Sequence, residues 1–271
     1  MDCNKKIMDR IREHKNDALN SISTDWFVIC GQGSINYPGL FDKESDIDSK
    51  MLTLPSLKDI VCNKKTLNHV HIMPNEEHVD MKDVRDYFKI FRKQNINFTE
   101  ILFTDYWISN STYTDLWMEL RCHAEDFIRM NPYRTLKCCK GMIFEKAHAL
   151  EHRYPSRAYY IDTFGYDGKQ LQHALRVLEF AEKFVKNYSY KDCLTVANPE
   201  YLLAIKRHKA NLDLESAKKL MDYATNSITT LEANWNNIWK DKENTEAKEL
   251  LDDILYRLIV RSIKVQIEEK T

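Results

Sequence analysis

The spacing of apolar residues divides the chain into an early part that mixes short buried runs with helical periods and a later part that is helical throughout. Lys5 to Ser21 places Ile7, Ile11 and Leu19 on or near one helical face. Trp26-Phe27-Val28-Ile29-Cys30 is a continuous apolar run ended by Gly31, which predicts a buried strand. Asp48 to Leu54 partly alternates and stops at Pro55, giving a second strand, and His69–Met73 and His78–Lys82 read as two more. Val84 to Lys93 returns to the helical period, with Asp83 placed to cap its first turn. The aromatic-rich stretch Phe98–Trp107 is expected in the core.

From about Thr112 the pattern predicts helices at Thr112–Met130, Pro132–His152, Lys169–Asn187, Glu200–His208, Leu214–Trp235 and Glu246–Glu269. Pro132 after Asn131, and Pro199 after Asn198, suit capped first turns, where the missing proline N–H is not needed. Lys240 to Thr245 is a polar, charged connector, and no internal repeat or low-complexity segment interrupts the chain. The expected fold is α/β. A short mixed sheet with flanking helices spans residues 1–110, and a mostly helical domain over residues 111–271 closes over a substrate cleft.

Composition narrows the class. With 271 residues, 43% hydrophobic and 30% charged, the chain is large enough to bury a substantial core and has ordinary globular usage. No run of about 18 apolar residues is present, so no membrane span is expected. Met1-Asp2-Cys3-Asn4-Lys5-Lys6 leads straight into a mixed-charge helical pattern without an apolar h-region, so no signal peptide is expected either. The seven cysteines are scattered, and adjacent Cys138 and Cys139 suit neither zinc spacing nor a disulfide framework. Reduced thiols in a cytoplasmic compartment are the expectation. A net charge of −1 gives no global attraction to nucleic acid, so such a partner would need a local basic patch.

Only six glycines occur, yet Gly31, Gly33 and Gly39 fall close together, and Gly165 and Gly168 bracket Tyr166-Asp167. Such clusters point to positive φ or to close approach of a ligand. After the first strand, Gly31-Gln32-Gly33-Ser34 would bring backbone amides and a hydroxyl near a phosphate. Ser45-Asp46-Ile47-Asp48 follows at the start of the next strand, where side chains two apart share a face. Two neighbouring carboxylates repel unless a cation joins them, and Mg²⁺ carried with substrate phosphates is the natural candidate. Asp80, in the strand-like run His78-Val79-Asp80-Met81, is the candidate third carboxylate of a two-metal phosphoryl-transfer site. Lys50 falls on the same strand face as Asp46 and Asp48 and is left outside the catalytic set.

Gly33-Ser34, the spacing to Asp46-x-Asp48, and the later Asp80 resemble the signature of the DNA polymerase β nucleotidyltransferase superfamily. Within it, the chain is similar to the nucleotidyltransferases associated with RNA-repair operons in bacteria and phages. The likeness continues through Phe91-Arg92-Lys93-Gln94 to Glu100-Ile101-Leu102-Phe103. It extends to Gly165-Tyr166-Asp167-Gly168-Lys169 with His173 and Arg176, and covers roughly residues 26 to 185. The resemblance implies a polymerase-β-like core that transfers a nucleoside monophosphate from an NTP to an acceptor hydroxyl and releases pyrophosphate. It also implies Mg²⁺ or Mn²⁺ as cofactor, an RNA end as acceptor, metal binding by Asp46, Asp48 and Asp80, and nucleotide contacts from Gly33, Ser34, Lys169, His173 and Arg176. Protein AMPylation on the same core and a non-catalytic nucleotide- or RNA-binding relative remain open beside it.

Three other features carry two readings each. Lys169, His173 and Arg176 recur at helical spacing beside the apolar stripe Leu171, Ala174, Leu175 and Leu178, as a phosphate grip or as a solvated face. Lys or Arg at 129, 134, 137, 140, 146, 153 and 157, with Tyr133, Phe144 and Tyr154 among them, suit an RNA strand or a solvated helix equally. His148 and His152 stand four apart, but without further ligands they read as structural or surface histidines.

Overall fold

The computed structural model describes residues 3–268; Met1, Asp2 and Glu269, the last position of the final predicted helix, lie outside the described residues. The early elements are α1 (Cys3–Asn20), β1 (Trp26–Gln32), β2 (Asp48–Thr53), α2 (Leu57–Val61), β3 (Asn68–Ile72), β4 (His78–Asp83), α3 (Val84–Arg92) and α4 (Ile96–Thr99). They are followed by β5 (Trp107–Ser109), α5 (Thr114–Cys122) and α6 (Ala124–Ile128). The later elements are α7 (Pro132–Ala149), α8 (Ala158–Phe164), α9 (Gly168–Val185), α10 (Tyr190–Leu194), α11 (Pro199–Lys206), α12 (Leu214–Trp239) and α13 (Thr245–Glu268).

Sheet order is β3-β4-β2-β1-β5. Strands β2 and β4 pair in parallel, and the remaining pairs are antiparallel, so the sheet is mixed as expected. A parallel pair needs a return crossover, which α2 and β3 provide. Helix α1 packs on β1, β2 and β5 through buried Ile7, Ile11, His14 and Ala18. Val28, Cys30 and Leu52 join a core with Tyr87, Phe88 and Phe91 of α3, Leu116 and Trp117 of α5, and Leu251, Ile254 and Leu258 of α13.

The caps named from the sequence form. Asp83 accepts from the Arg85 amide at 2.8 Å, Asn131 from that of Arg134 at 3.0 Å, and Asn198 from that of Tyr201 at 2.9 Å. The single helix predicted for residues 112–130 is instead α5 and α6, separated at His123, where φ is −100° and ψ is 16°. That conformation cannot continue an α-helix.

The chain forms two compact units. The first holds the residues up to Asn36, Lys43–Met130 and the stretch from Asn244 onward. The second holds Tyr37–Asp42 and Asn131–Glu243. The units therefore do not divide at the 110/111 boundary that the sequence pattern predicts. Hydrophobicity places α13 in the first unit, because its apolar face completes the core against α3, α5 and α6. In the second unit α9 is central, packed by α7, α10, α11 and α12, with Leu171, Ala174, Val177, Phe180, Ala181 and Phe184 buried. Residues 37–42 are fixed there by paired hydrogen bonds from Arg207 to Asp42 at 3.0 and 2.6 Å.

Candidate functional site

Strands β1 and β2 carry the first candidate residues, and their register brings the two motif segments together. Gln32 pairs with Asp48, so the turn that leaves β1 begins beside the entry to β2. Gly33 has φ +75°, the left-handed region where a side chain is strained, and open space surrounds the position of its missing Cβ. Its N–H, expected to face a phosphate, donates to the Glu100 carboxylate at 2.8 Å, and Glu100 is only 2% exposed. The Ser34 side chain is half-buried and forms no hydrogen bond among the described residues, so its hydroxyl remains available as a donor.

The three acids differ in setting. Asp48 is the first residue of β2, half-buried, and one carboxylate oxygen accepts from the His78 amide at 3.0 Å. Asp46 was expected on the same strand, but it lies two residues ahead of β2, exposed and without a hydrogen-bond partner among the described residues. Strand alternation therefore does not place it beside Asp48; the buried Ile47 between them does the anchoring. Asp80 on β4 lies directly across from Lys50 in the parallel register, and the Lys50 ammonium donates to its Oδ2 at 3.1 Å. Lys50, which the sequence reading set aside, is 5% exposed, and its Nζ also lies 4.3 Å from the centre of the Phe98 ring.

A second network behind these residues had no sequence signal. Glu77 accepts from Arg10 at 3.0 and 2.6 Å and from the Ile47 amide at 3.2 Å, and it meets His14 Nε2 at 2.9 Å. His14 Nδ1 in turn meets Ser49 Oγ at 2.9 Å, and His14 is fully buried. Burial pushes the Glu77 carboxyl up, but hydrogen bonds from Asn75, Arg10, His14 and the Ile47 amide outweigh it and hold the pKa at about 2. The ionised Glu77 thus ties α1 to both residues that flank Asp48. Only long-range pairing reveals this, since the partners lie thirty or more positions apart in sequence.

The resemblance implies a divalent metal, which takes hard oxygen donors. Asp46 and the free oxygen of Asp48 are hard anionic donors of the right type. Asp80 does not fit as a third ligand here, because an ammonium already holds it. Among the described residues, no group of three or more His, Cys, Asp or Glu side chains could hold a metal ion. The donor chemistry of Asp46 and Asp48 is thus compatible with a divalent cation, whereas a cation shared by all three acids is not supported.

In the second unit, Lys169, His173 and Arg176 lie on α9. Its amino-terminal amides are already engaged: Lys169 N donates to Asp167 at 2.9 Å, and Gly168 N to His208 Nε2 at 3.2 Å. Gly168 is needed for that contact, since a Cβ there would meet the Ile205 carbonyl oxygen at 2.2 Å. Burial raises Asp167, but its paired hydrogen bonds with Arg157 at 2.8 and 2.5 Å leave it below the usual carboxylate range. Any grip on phosphate must therefore come from side chains further along the helix. Lys169 is exposed, while Arg176 is only 9% exposed, stacked 3.7 Å over the Tyr37 ring, and makes no ion pair with a carboxylate among the described residues. His173 Nε2 is buried without a hydrogen-bond partner. Burial, then the nearby charges of Arg176, Lys146 and Lys169, hold its pKa well below the ordinary value.

The basic stretch between residues 129 and 157 is mostly neutralised. Five of its seven cations pair with carboxylates: Arg129 with Glu125, Lys140 with Glu232, Lys146 with Glu145, Arg153 with Asp162, and Arg157 with Asp167. This favours the solvated-helix reading over an open track for RNA. His148 and His152 stack on each other with ring centres 6.1 Å apart and belong to no candidate metal group among the described residues.

No family model matches the chain, and no curated protein matches it. Among solved structures, the chain is similar to a nucleotidyltransferase-like protein from Exiguobacterium sibiricum 255-15, at 10% identity and a TM-score of 0.31. That likeness covers 84% of this chain and 75% of the other. No helix among the described residues is long and apolar enough to cross a membrane.

Proposed function

We propose that the chain is a nucleotidyltransferase that moves a nucleoside monophosphate from an NTP to an acceptor hydroxyl, with an RNA end as the acceptor. The observation that carries this reading is the register of β1 and β2. Pairing Gln32 with Asp48 sets the start of the Gly33-Ser34 turn beside Asp48 at one end of the sheet, with Asp46 two residues ahead of it in the chain.

The acceptor oxygen would attack the α-phosphorus and give up its proton to solvent, while the bond from the α-phosphorus to the oxygen bridging it to the β-phosphate breaks and pyrophosphate departs with that oxygen. Ser34 would donate to a phosphate oxygen. Asp46 and Asp48 would hold Mg²⁺ or Mn²⁺, which supplies charge neutralisation for the phosphates when bound. The Glu77–His14 network would fix the backbone on either side of Asp48 so that its carboxylate keeps one orientation. Asp80 would be the third acid of this face. In the second unit, Lys169, His173 and Arg176 are proposed phosphate contacts, because a buried guanidinium without a carboxylate partner calls for an anion.

A second reading is favoured by one specific feature. Glu100 occupies the Gly33 amide and Lys50 occupies Asp80, as expected of a relative that binds nucleotide without turning it over. Pyrophosphate release measured with each NTP, Mg²⁺ or Mn²⁺, and a pool of short RNAs separates the two. RNA-dependent release that disappears in Asp46→Ala/Asp48→Ala supports transfer. Metal-dependent nucleotide binding without release under any condition supports the binding protein. Label from an α-³²P NTP appearing on protein instead of RNA would replace the acceptor with a hydroxyl side chain.

A further inference from the structure

Lys50 sits where an acidic metal site would least be expected to hold a lysine. It is the third residue of β2, in line with Asp48 by strand alternation and directly beside Asp80 by the parallel register with β4. Its side chain is 7% exposed. An ammonium taken out of water at this depth is costly unless it is paired. Two groups stabilise it: the Asp80 carboxylate at 3.1 Å and the face of Phe98 at 4.3 Å. Lys82, next along β4 on the same face, lies 5.9 Å from the same ring, and its own Nζ donates to Asn68. Both lysines are thus built into the sheet.

We infer that the Lys50 ammonium is the resident cation of Asp80, so that this site takes one divalent metal ion, on Asp46 and Asp48, and not two. The inference rests on the nucleotidyl-transfer reading and refines it. A divalent ion at about 2.1 Å from Asp80 would stand within a few ångströms of an ammonium already bound to the same carboxylate. Like charges that close, in a half-buried setting, repel strongly. Three carboxylates against the ammonium groups of Lys50 and Lys82 leave a net charge of −1 on this face, which a single divalent ion more than offsets. Lys50 also needs no uptake from solution: the fixed charge is in place before substrate arrives, as preorganised electrostatic stabilisation requires.

The test counts Mn²⁺ bound per chain by loss of the free-ion electron paramagnetic resonance signal, with circular dichroism confirming that each variant is folded. Wild type is expected to bind one ion. Lys50→Met should free Asp80 and add a second, and Lys50→Met/Asp80→Asn should lose that second ion again. Lys50→Gln serves as an independent variant should the methionine disturb packing under Phe98. Two ions on the wild type, or one ion on both wild type and Lys50→Met, would overturn this inference while leaving nucleotidyl transfer intact. No Mn²⁺ on any of the proteins would also overturn this inference, and the pyrophosphate-release assay would then decide nucleotidyl transfer separately.

Discussion

Lys50 and Asp80 face each other across the parallel pair β2 and β4, with the ammonium 3.1 Å from Oδ2 and side-chain exposures of 7% and 20%. The asymmetry in burial makes the two halves of the pair unequal. Asp80→Asn strands a nearly buried lysine and should destabilise by about 3 kcal/mol, whereas Lys50→Met leaves a carboxylate that water still reaches and should cost less. The double change removes both charges and should recover much of the loss. Urea unfolding of the four proteins measures the coupling, expected at about 1–3 kcal/mol. Additive single losses would show that the pair has no mutual dependence.

Asp46 and Asp48 should separate activity from stability differently. Asp46 is exposed and makes no hydrogen bond among the described residues, so Asp46→Ala should shift stability by no more than about 0.5 kcal/mol. Asp48→Ala also releases the His78 amide and should cost about 1 kcal/mol. Both should reduce pyrophosphate release by at least ~100-fold if they ligate the metal. Thermal denaturation alongside the release assay distinguishes loss of a ligand from loss of fold.

Strands and long helices were legible because their apolar periods are strong. Trp26–Gln32, His78–Asp83 and, in the second unit, α7, α9, α11 and α12 fall within a few residues of their predicted bounds, whereas the seven-residue α8 was not predicted. The short elements were not. Trp107–Ser109 has three residues, and α2, α4 and α10 have four or five, too few for a period to register. At the site, the sequence brought out Asp46, Asp48 and Asp80 by residue type and spacing. It could not show that Asp80 has a lysine partner, because that depends on whether β2 and β4 align residue 50 with residue 80 or with a neighbour. Glu77 and His14 were invisible for the same reason: each is an ordinary residue until the sheet and α1 bring them to 2.9 Å.

The cationic face of α9 should bind a divalent anion with an affinity that does not change between pH 8 and pH 6. Burial, then the charges of Arg176, Lys146 and Lys169, hold the His173 pKa well below its ordinary value, so the ring stays neutral over that range. Sulfate is the suitable probe, because it keeps its charge between pH 8 and pH 6. Calorimetric titration should show a flat profile, and Arg176→Ala should weaken binding about 10-fold or more at every pH. A wild-type affinity that rises as pH falls, and no longer does so in His173→Asn, would show that the anion draws a proton onto His173.

Acid stability should report the Glu77 clamp. Folding lowers this carboxyl from 4.5 to about 2, so the native state binds fewer protons than the unfolded chain between those values. The contribution is complete above about pH 4.5 and is lost as pH falls toward 2. A depression of that size corresponds to a few kcal/mol, on the order of 2–3 kcal/mol above the transition. Glu77→Gln should therefore lower stability at pH 7 by about that amount, and the gap to wild type should close progressively below pH 4. His14→Gln tests the same network from its buried end, since removing the ring leaves Ser49 and Glu77 each short of a partner. If the clamp orients Asp48 as proposed, Glu77→Gln should also loosen Mn²⁺ binding at pH 7, where the protein remains folded. Unchanged metal affinity with reduced stability would confine Glu77 to holding α1 against the sheet.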